Sequence, residues 1–473
     1  MTSKIDAWND DTLDRQKEAN FIMNYLNGIY AENLQDSNSG SFVLNLNAPW
    51  GYGKTYFLEN LKLDLEEKKH PVLYFDAWKN DYSKTPLLGF ISEIEQALKE
   101  YKSQLPKGEK LVGNLLSTAK KLLGVMAGIG ASILVKKVTG LGLEALKEQL
   151  NADTDCDTEE TTDILGGKSE KYIEQIIEKS LEEHQELKKV IEHFKTALEK
   201  VTVSLQDNAG FTLPMYILID ELDRCRPTYA IELLENIKHI FNANGVFFIV
   251  ATNKEQLAHS IKAVYGDSFD SRNYLRRFFN QEYTISITNR SKYIAELFSK
   301  YRIDNTKLMT PFDAQLNKTE NIERFLFEKI ADGYKLGLRD MEQICVQLKS
   351  ILLTTTTNNT MHYPYLIFIL MFRFKNEDKA VIDFNEFQSF DVICTVPVDQ
   401  NRFNFKSSPI HFTTIINFYE QIAAGNKNNL NEMYNRTTSD YEDKVLRDLS
   451  TNNIGLKAIA NYFLLAQQAG HVS

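Results

Sequence analysis

The sequence predicts an α/β fold in which helices cover both faces of a parallel β-sheet. Five short apolar or β-branched runs alternate with helical patterns along the chain, and such continuous apolar strands are typical of parallel sheets that are buried on both faces. A glycine-containing loop follows the first run, and two adjacent carboxylates follow the third. Ligands of open α/β sheets bind at the carboxyl ends of the strands, so we expect both motifs to meet there. The predicted strands are Phe42–Leu46, Val72–Phe75, Tyr216–Ile219, Val246–Ala251 and Tyr283–Ile287.

The first elements in chain order are a helix and the first strand. Charged and apolar positions mix in a helical pattern from Leu13 to Tyr30, and the turn-forming run Asp36–Ser41 separates this helix from the strand. The sequence Ala48-Pro49-Trp50-Gly51-Tyr52-Gly53-Lys54-Thr55 then leads into a helical run from Tyr56 to Leu65. A strand, a glycine loop and a helix in this order are the context of a P-loop, which binds the phosphates of a nucleotide. We expect the helix before the strand to cover the base or ribose.

The loop contains the residue types that phosphate binding needs. Gly51 and Gly53 let the backbone turn tightly and aim its N–H groups at the phosphates, at the positive end of the following helix. We expect Lys54 to reach the β- and γ-phosphates and the Thr55 hydroxyl to bind Mg²⁺. Ala48 stands where the usual pattern has its first glycine, and this small change leaves the cradle open. The predicted cofactors are therefore ATP and Mg²⁺, and the predicted nucleotide-binding residues are Trp50, Gly51, Tyr52, Gly53, Lys54 and Thr55.

The third strand delivers two carboxylates to its carboxyl end. The apolar run Tyr216–Ile219 is followed directly by Asp220 and Glu221. In ATPases the first carboxylate of such a pair supports Mg²⁺, directly or through water, and the second takes a proton from the attacking water. Taken alone, the run fits a buried strand that ends in a charged turn equally well. Because a P-loop accompanies it, we predict that Thr55 and Asp220 support the metal and that Glu221 is the catalytic base.

Together these motifs resemble the KAP family of P-loop NTPases. The matching residues are the glycine loop with its tryptophan, Val72–Phe75 running into Asp76-Ala77-Trp78, Asp220-Glu221-Leu222-Asp223-Arg224-Cys225 with Pro227, Ile231–Lys238, and the strand Gly245–Ala251. The resemblance extends over about residues 8 to 350 and implies a P-loop NTPase of the additional-strand type. Many members look to have aspartate where this chain has Glu221 and Asn253. Both departures make the chain more like an ordinary additional-strand ATPase, and they favour hydrolysis over binding alone.

Four further residues complete the predicted catalytic set. Asn253 follows the fourth strand, and we expect it to hold the attacking water or the γ-phosphate, to cap the next helix, or to do both. Arg276 and Arg277 precede the fifth strand, where ring-forming ATPases place an arginine that reaches the γ-phosphate of a neighbouring subunit; a surface salt bridge is the alternative. Arg339 opens a later helix, and we expect it to sense the γ-phosphate within its own chain unless it pairs with an acid of the same helix.

The two nucleotide motifs are further apart than one helix and one strand require, which predicts an insertion. Its most apolar part is Leu122–Val135, and fourteen residues at about 1.5 Å each span roughly 21 Å, short of the ~30 Å hydrocarbon core of a bilayer. We favour a buried or self-associating helix, with membrane-surface contact and partner binding as alternatives. The acidic run Asp153–Asp163 lacks the glycine and glutamate of a calcium loop, so it is predicted as a solvated loop. The Glu- and Lys-rich run Lys171–Lys200 is predicted as an exposed or coiled-coil-like helical arm.

These observations predict four regions. Residues 1–103 and 201–290 form the P-loop NTPase core, and residues 104–200 form an inserted helical segment with an acidic loop. Residues 291–353 form a helical lid, and residues 361–473 form a C-terminal domain to which the sequence assigns no role. A Thr- and Asn-rich run marks the last boundary, and it is followed by an apolar helix or strand at Tyr363–Phe374.

Composition predicts a cytoplasmic protein. The chain has 473 residues, a formal net charge of -10 and a pI near 5.5, so its overall charge does not indicate a protein that coats nucleic acid. The four cysteines have no paired spacing, which argues against a zinc site or a disulfide framework. The first residues lack the apolar core of a signal peptide.

The expected function is ATP hydrolysis that drives a conformational or assembly switch. We expect a homo-oligomer and an effector protein as partners, and the family resemblance suggests a role in bacterial defence against phage. One alternative is a nucleotide-gated scaffold, at a membrane or in a complex, that turns over little ATP. The other alternative is a nucleic-acid motor, which would need a basic channel.

Overall fold

The structure of the protein, a computed structural model, consists of two compact units. Unit 1 comprises Met1–Asn9, Lys17–Ala48 and Lys54–Ile285, and unit 2 comprises Asp10–Gln16, Pro49–Gly53 and Ser286–Ser473. The residues that the structure describes are 7–35, 40–83, 85–102, 108–126, 162–239, 242–312, 319–355, 361–376, 393–397, 407–424, 442, 445–446, 459 and 461–470.

The centre of unit 1 is a five-stranded sheet. Its strands are β1 (Phe42–Asn47), β2 (Val72–Asp76), β3 (Met215–Asp220), β4 (Val246–Thr252) and β5 (Gln281–Thr284). They pair in the order β2-β3-β4-β1-β5, and every pairing is parallel. Strand β4 lies between the strand that precedes the glycine loop and the strand that ends in the carboxylates, which is the additional-strand arrangement. The predicted α/β fold with a parallel sheet is confirmed.

Helices bury this sheet because its strands are apolar on both faces. Strands β3 and β4 are buried at every residue, which explains why their sequences are continuous Val, Ile, Leu and Phe runs without alternation. Aromatic rings make close contacts across the helix–sheet layers: Tyr30 lies 5.9 Å from Phe247, and Phe75 lies 5.1 Å from Phe90, between ring centroids. The helices of this part of the chain are α1 (Arg15–Gln35), α2 (Lys54–Glu67), α3 (Pro86–Lys102), α4 (108–126), α5 (Thr162–Ala209), α6 (Pro227–His239), α7 (Lys254–Tyr265) and α8 (Ser271–Leu275).

The fifth strand begins and ends earlier than predicted. We expected it to continue to Ile287, but β5 ends at Thr284, which pairs with Asn47 at the end of β1. One further bond follows, from the Ile285 amide to the Asn47 carbonyl at 2.9 Å. A strand needs a partner for its backbone groups, and β1 offers none beyond that point. The edge position of β5 agrees with its exposed and half-exposed side chains.

The predicted insertion contains two described helices, α4 and α5. The predicted helix Lys171–Lys200 is part of α5. The prediction that it is exposed is wrong for one side of the helix: Val190, Phe194 and Leu198, spaced by four residues, are buried in the core of unit 1. The apolar run that starts at Leu122 begins in α4, where Leu122 itself is buried, whereas residues 127–135 and the acidic run up to residue 161 lie outside the described residues. Within the described ranges, no helix combines the length and the apolar character that crossing a membrane requires.

Unit 2 is mainly helical. The apolar run after the Thr- and Asn-rich boundary is a helix rather than a strand, and the residues Tyr363 to Phe372 are all buried. A helix that is apolar around its whole circumference is a core helix. The elements of unit 2 are α9 (Arg290–Lys300), β6 (Leu308–Met309), α10 (Ile322–Gly333), α11 (Leu338–Thr354), β7 (Met361–His362), α12 (Tyr363–Lys375), β8 (Ile393–Pro397), β9 (Ser407–His411), α13 (Phe412–Ala424) and α14 (Tyr462–Gly470). Strands β6 and β7 pair in parallel, and β8 and β9 form an antiparallel hairpin.

Candidate functional site

The start of α2 and the residues after β3 come together at the carboxyl edge of the sheet. The Thr55 hydroxyl donates a hydrogen bond to Glu221 Oε1 at 3.2 Å. The Lys54 ammonium donates to the Ala48 carbonyl at 2.8 Å and lies 3.7 Å from Asp223 Oδ2. The two sequence motifs are 166 residues apart, and the strand order places their functional groups within hydrogen-bond distance of each other.

The glycines of the loop have the conformation that a phosphate cradle requires. Gly51 has a φ of 78° and Gly53 a φ of 81°, a region in which residues with a Cβ are strained. Within unit 2 the loop is bound to the start of α11, since the Leu338 amide donates to the Gly51 carbonyl at 3.1 Å. A Cβ on Gly51 would lie 3.3 Å from the Arg339 Cβ. The loop therefore needs glycine at this position for two reasons, its backbone conformation and the close approach of α11.

Arg339 is exposed in the first turn of α11, beside this loop. The two acids of its own helix that could have paired with it, Asp340 and Glu342, have other partners. Asp340 accepts a hydrogen bond from the Gly337 amide at 2.9 Å, and Glu342 accepts from Lys300 at 2.6 Å and from Tyr301 at 2.7 Å. In the described part of the chain, neither acid forms an ion pair with Arg339. The guanidinium is thus available to an anion at the loop.

Arg15 also holds the loop, a role that no motif in the sequence indicated. Its side chain is 1% exposed. Within unit 2, one terminal nitrogen donates to the Tyr52 carbonyl at 3.1 Å and the other to the Ser286 carbonyl at 2.5 Å. A buried guanidinium that binds main-chain carbonyls fixes the segments it bridges. The conformation of the loop is thereby set by residues far from it in the sequence.

Asp220 is almost completely buried at the end of β3. One of its oxygens accepts from the Glu221 amide at 2.8 Å, and the other accepts from the Tyr74 hydroxyl at 2.9 Å. Burial, together with the neighbouring Asp220 charge, raises the pKa of Tyr74 well above its ordinary value. Tyr74 therefore remains a hydrogen-bond donor at all physiological pH values and fixes the orientation of the carboxylate.

Glu221 adopts a left-handed backbone conformation, with φ 60° and ψ 22°. This conformation is uncommon for a residue with a side chain, and strained residues of this kind cluster at functional sites. The Glu221 carboxylate binds Thr55 through one oxygen and forms an ion pair with Arg224 through the other. Burial and the Asp220 charge raise the pKa of Glu221, whereas Arg224 and Thr55 act in the opposite direction.

Lys54 is buried among acids. Burial lowers the pKa of its ammonium, and the charges of Asp223, Asp220 and Glu221 oppose that shift. The side chains of Lys54 and Asp223 are 10% and 1% exposed. Asp223 thus places a negative charge next to the lysine that we expect to bind phosphate.

The remaining predicted residues occupy different surroundings. The Asn253 side chain caps α7 by accepting from the Gln256 amide at 3.3 Å, so the capping role is present, and it leaves a role at the phosphate open. Arg276 and Arg277 follow α8 and are exposed, and in the described part of the chain neither forms the surface salt bridge that was the alternative. The indole of Trp50 is 50% exposed.

Comparison with known proteins agrees with the fold and the loop. The model of the family described as "KAP family P-loop domain" matches residues 24–355, well over half of the chain. The chain belongs to the KAP family. It is also similar to an uncharacterized protein from Methanocaldococcus jannaschii, with 23% identity over 184 residues, which are 38% of this chain and 89% of that protein. The family assignment makes this KAP protein a nucleotide-binding NTPase, as the resemblance in sequence predicted.

The KAP protein has a set of oxygen donors that fits Mg²⁺. The Thr55 hydroxyl and the Asp220 carboxylate are hard ligands, and Mg²⁺ in nucleotide sites is bound by one or two such protein groups together with phosphates and water. Among the described residues there is no cluster of three or more His, Cys, Asp or Glu side chains with metal-site geometry. Thr55 and Asp220 are the residues that would hold a metal brought by a nucleotide.

Proposed function

We propose that this KAP protein hydrolyses ATP to ADP and phosphate at the site formed by Lys54, Thr55, Asp220 and Glu221. The observation that carries the proposal is the Thr55–Glu221 hydrogen bond of 3.2 Å. It joins the residue that P-loop NTPases use for Mg²⁺ to the carboxylate that follows the metal-supporting aspartate. A base beside the Mg²⁺-binding residue would be adjacent to the terminal phosphate, where the attacking water must be activated.

Each residue has a separate task in this mechanism. Lys54 would exchange its bond to the Ala48 carbonyl for the β- and γ-phosphates. Thr55 and Asp220 would hold Mg²⁺, and the ion would supply positive charge at the phosphates. Glu221 accepts the proton of the attacking water. Its half-buried position beside Asp220 raises its pKa, and a base whose pKa lies closer to neutral pH is a more effective proton acceptor.

The charges around the γ-phosphate are completed by arginines. We assign Arg339 to the same chain because it lies at the loop and is not paired with its helix acids. We assign Arg276 or Arg277 to a neighbouring subunit of a homo-oligomer, because both are exposed and lie before the edge strand β5. Arginines that engage a γ-phosphate are worth about 10³ to 10⁵ in rate. Asn253 completes the set by holding the attacking water while it caps α7.

The output of the cycle is a conformational or assembly switch that signals to an effector protein, in a cytoplasmic setting. The family resemblance supports defence against phage as the context. A scaffold with little turnover and a nucleic-acid motor are the outcomes that would replace this proposal.

Phosphate release by the purified protein distinguishes these outcomes. It is measured with Mg-ATP alone and after addition of DNA, RNA or lipid vesicles, with EDTA as the metal control and Mg-GTP as the nucleotide control. We expect turnover that requires Mg²⁺ and Glu221. Stimulation by DNA or RNA would favour the motor, and tight binding of ATP without turnover under every condition would favour the scaffold.

A further inference from the structure

The turn after β2 lies directly beside the catalytic carboxylate. Strands β2 and β3 pair in register, with Asp76 opposite Asp220, and the Ala77 amide donates to the Asp220 carbonyl at 3.0 Å. The next residue, Trp78, therefore falls next to the turn that follows Asp220. The sequence Asp76-Ala77-Trp78 contributed to the family resemblance, but the mechanism above gives it no task.

Arg224 connects this turn to Glu221. Its Nε donates to Glu221 Oε2 across a 3₁₀ turn, in which residues three apart lie on the same side. Its guanidinium also lies over the Trp78 ring, 5.5 Å from the ring centroid. Arginine stacks on indole rings in this way while its N–H groups bind a carboxylate. One side chain thus joins the general base to an aromatic ring on the neighbouring strand end.

Trp78 is held in position although its side chain is 54% exposed. Arg226 binds the same turn: its amide and Nε donate to the two Asp81 carboxylate oxygens at 2.9 Å each, and one terminal nitrogen donates to the Ser83 carbonyl at 2.9 Å. The Asn80 side chain donates to the Asp76 carbonyl at 3.0 Å. These hydrogen bonds fix the turn, so that the Trp78 ring is held in one position beside Arg224.

We propose that Arg224 positions Glu221 for catalysis and that Trp78 holds Arg224 in place. The inference rests on the proposed function, in which Glu221 is the base. Both Glu221 and Asp220 are acids, and Asp223 adds a third carboxylate two residues further on. Without a cation beside it, the Glu221 carboxylate would be repelled by these neighbours, and its second oxygen would lose the partner that fixes it. Arg224 keeps the base directed towards Thr55.

The test compares kcat with nucleotide affinity in a series of variants. Arg224→Gln removes the charge and keeps the length, and Arg224→Lys keeps the charge but loses the planar group. Trp78→Ala removes the ring, and Trp78→Phe retains a ring. We expect Arg224→Gln to lower kcat by roughly 10-fold, a part of the 10² to 10⁴ that a general base supplies. Arg224→Lys and Trp78→Ala should lie between this variant and wild type, and Trp78→Phe close to wild type.

Two matched controls exclude general effects. Arg373→Gln removes an arginine that lies 4.6 Å from the centroid of the Phe463 ring, in unit 2, and Tyr82→Ala removes an aromatic side chain that is 86% exposed in the same turn as Trp78. Both should leave kcat unchanged. Nucleotide affinity, measured at equilibrium, should change less than about threefold in all variants, since Arg224 acts on the chemical step.

A double variant separates positioning from a structural role. If Arg224 acts through Glu221, then Arg224→Gln should change kcat by less than about twofold when Glu221→Gln is already present. Full additivity of the two losses, or a kcat of Arg224→Gln equal to that of wild type, would overturn the inference. Turnover that requires Glu221 but not Arg224 overturns this inference alone, whereas a wild-type protein that binds ATP without any turnover overturns the proposed function and the inference with it. Arg224→Lys and Trp78→Phe decide the question if the larger changes prevent folding.

Discussion

Replacement of Lys54 by alanine should separate two roles of this residue, nucleotide binding and charge balance. The ammonium lies 3.7 Å from Asp223, and the two side chains are 10% and 1% exposed. Its removal leaves the negative charges of Asp223, Asp220 and Glu221 with less positive charge beside them. Breaking a buried pair costs about 3–5 kcal/mol in unfolding free energy when the pair is hydrogen-bonded. Because 3.7 Å is longer than a hydrogen bond, we expect a loss of about 1–3 kcal/mol.

The same change should abolish measurable binding of Mg-ATP. Each hydrogen bond from a charged donor is worth about 1.5–3 kcal/mol, which corresponds to a roughly 10- to 150-fold increase in Kd per phosphate contact. Lys54 is expected to contact two phosphates, so the two losses combine. Equilibrium binding of Mg-ATP and urea denaturation of the free protein measure the two effects independently.

Two further variants make the prediction specific. Lys99→Ala breaks an ion pair of the same 3.7 Å length, with Glu95 on α3, but these side chains are 65% and 37% exposed, so its unfolding free energy should change by less than about 0.5 kcal/mol. Asp223→Asn, added to Lys54→Ala, should restore much of the lost stability because it removes a buried negative charge that has lost Lys54, and it should not restore binding. Near-normal affinity of Lys54→Ala would refute the P-loop assignment, and a double variant no more stable than Lys54→Ala would refute the charge-balance argument.

Three other predictions concern the loop, the interface and the base. Gly51→Ala should weaken Mg-ATP binding by at least ~10-fold, since a left-handed residue with a Cβ costs about 1–2 kcal/mol and the Cβ would press on Arg339. The control for backbone strain alone is Gly210→Ala, where φ is 69° and no atom lies within 4 Å of the added Cβ. Equal binding losses in both variants would contradict the steric part of the argument. Specific activity should rise with protein concentration, and mixing Glu221→Gln chains with Arg276→Ala/Arg277→Ala chains should restore turnover; constant activity on dilution together with a dead mixture would remove the arginines from the neighbour's site. Because the pKa of Glu221 is raised and the base must be ionised, the loss of kcat on acidification should begin above the pH range in which an ordinary glutamate titrates. A loss that begins only below that range would contradict the assignment of the base.

Much of the fold was predictable because its strands are buried on both faces. A continuous apolar run such as Tyr216–Ile219 fits a strand whose two faces are both buried, as in a parallel sheet covered by helices. The ends of the edge strand were not predictable in this way: residues up to Ile287 have strand-like composition, but β5 ends where Asn47 ends its partner strand. Local composition does not report the length of a neighbour that is more than 200 residues away in the sequence.

The candidate site likewise contains residues that the sequence indicated and residues that only the structure brings to the site. Lys54 and Glu221 belong to motifs whose spacing reflects backbone geometry, so the sequence indicated them directly. Arg15 holds the loop and Tyr74 holds Asp220, each from a distant segment. Tyr74 belongs to a strand that contributed to the family resemblance, but the sequence assigned neither residue a role at the site. The Arg224–Trp78 contact depends on the register of β2 against β3. Such residues become visible only when the tertiary structure brings the segments together.

The central claim is that bound ATP is cleaved with Glu221 as the base, and a single-turnover experiment tests it most directly. Protein in excess over radiolabelled Mg-ATP is mixed and quenched at increasing times, so that the cleavage of bound nucleotide is observed apart from binding and product release. The wild-type protein should convert the bound ATP to ADP and phosphate. Glu221→Gln should bind the same fraction of ATP but cleave it at least ~10²-fold more slowly, since the amide retains the shape and loses the proton acceptor. Equal cleavage rates in the two proteins, with equal binding, would contradict the account.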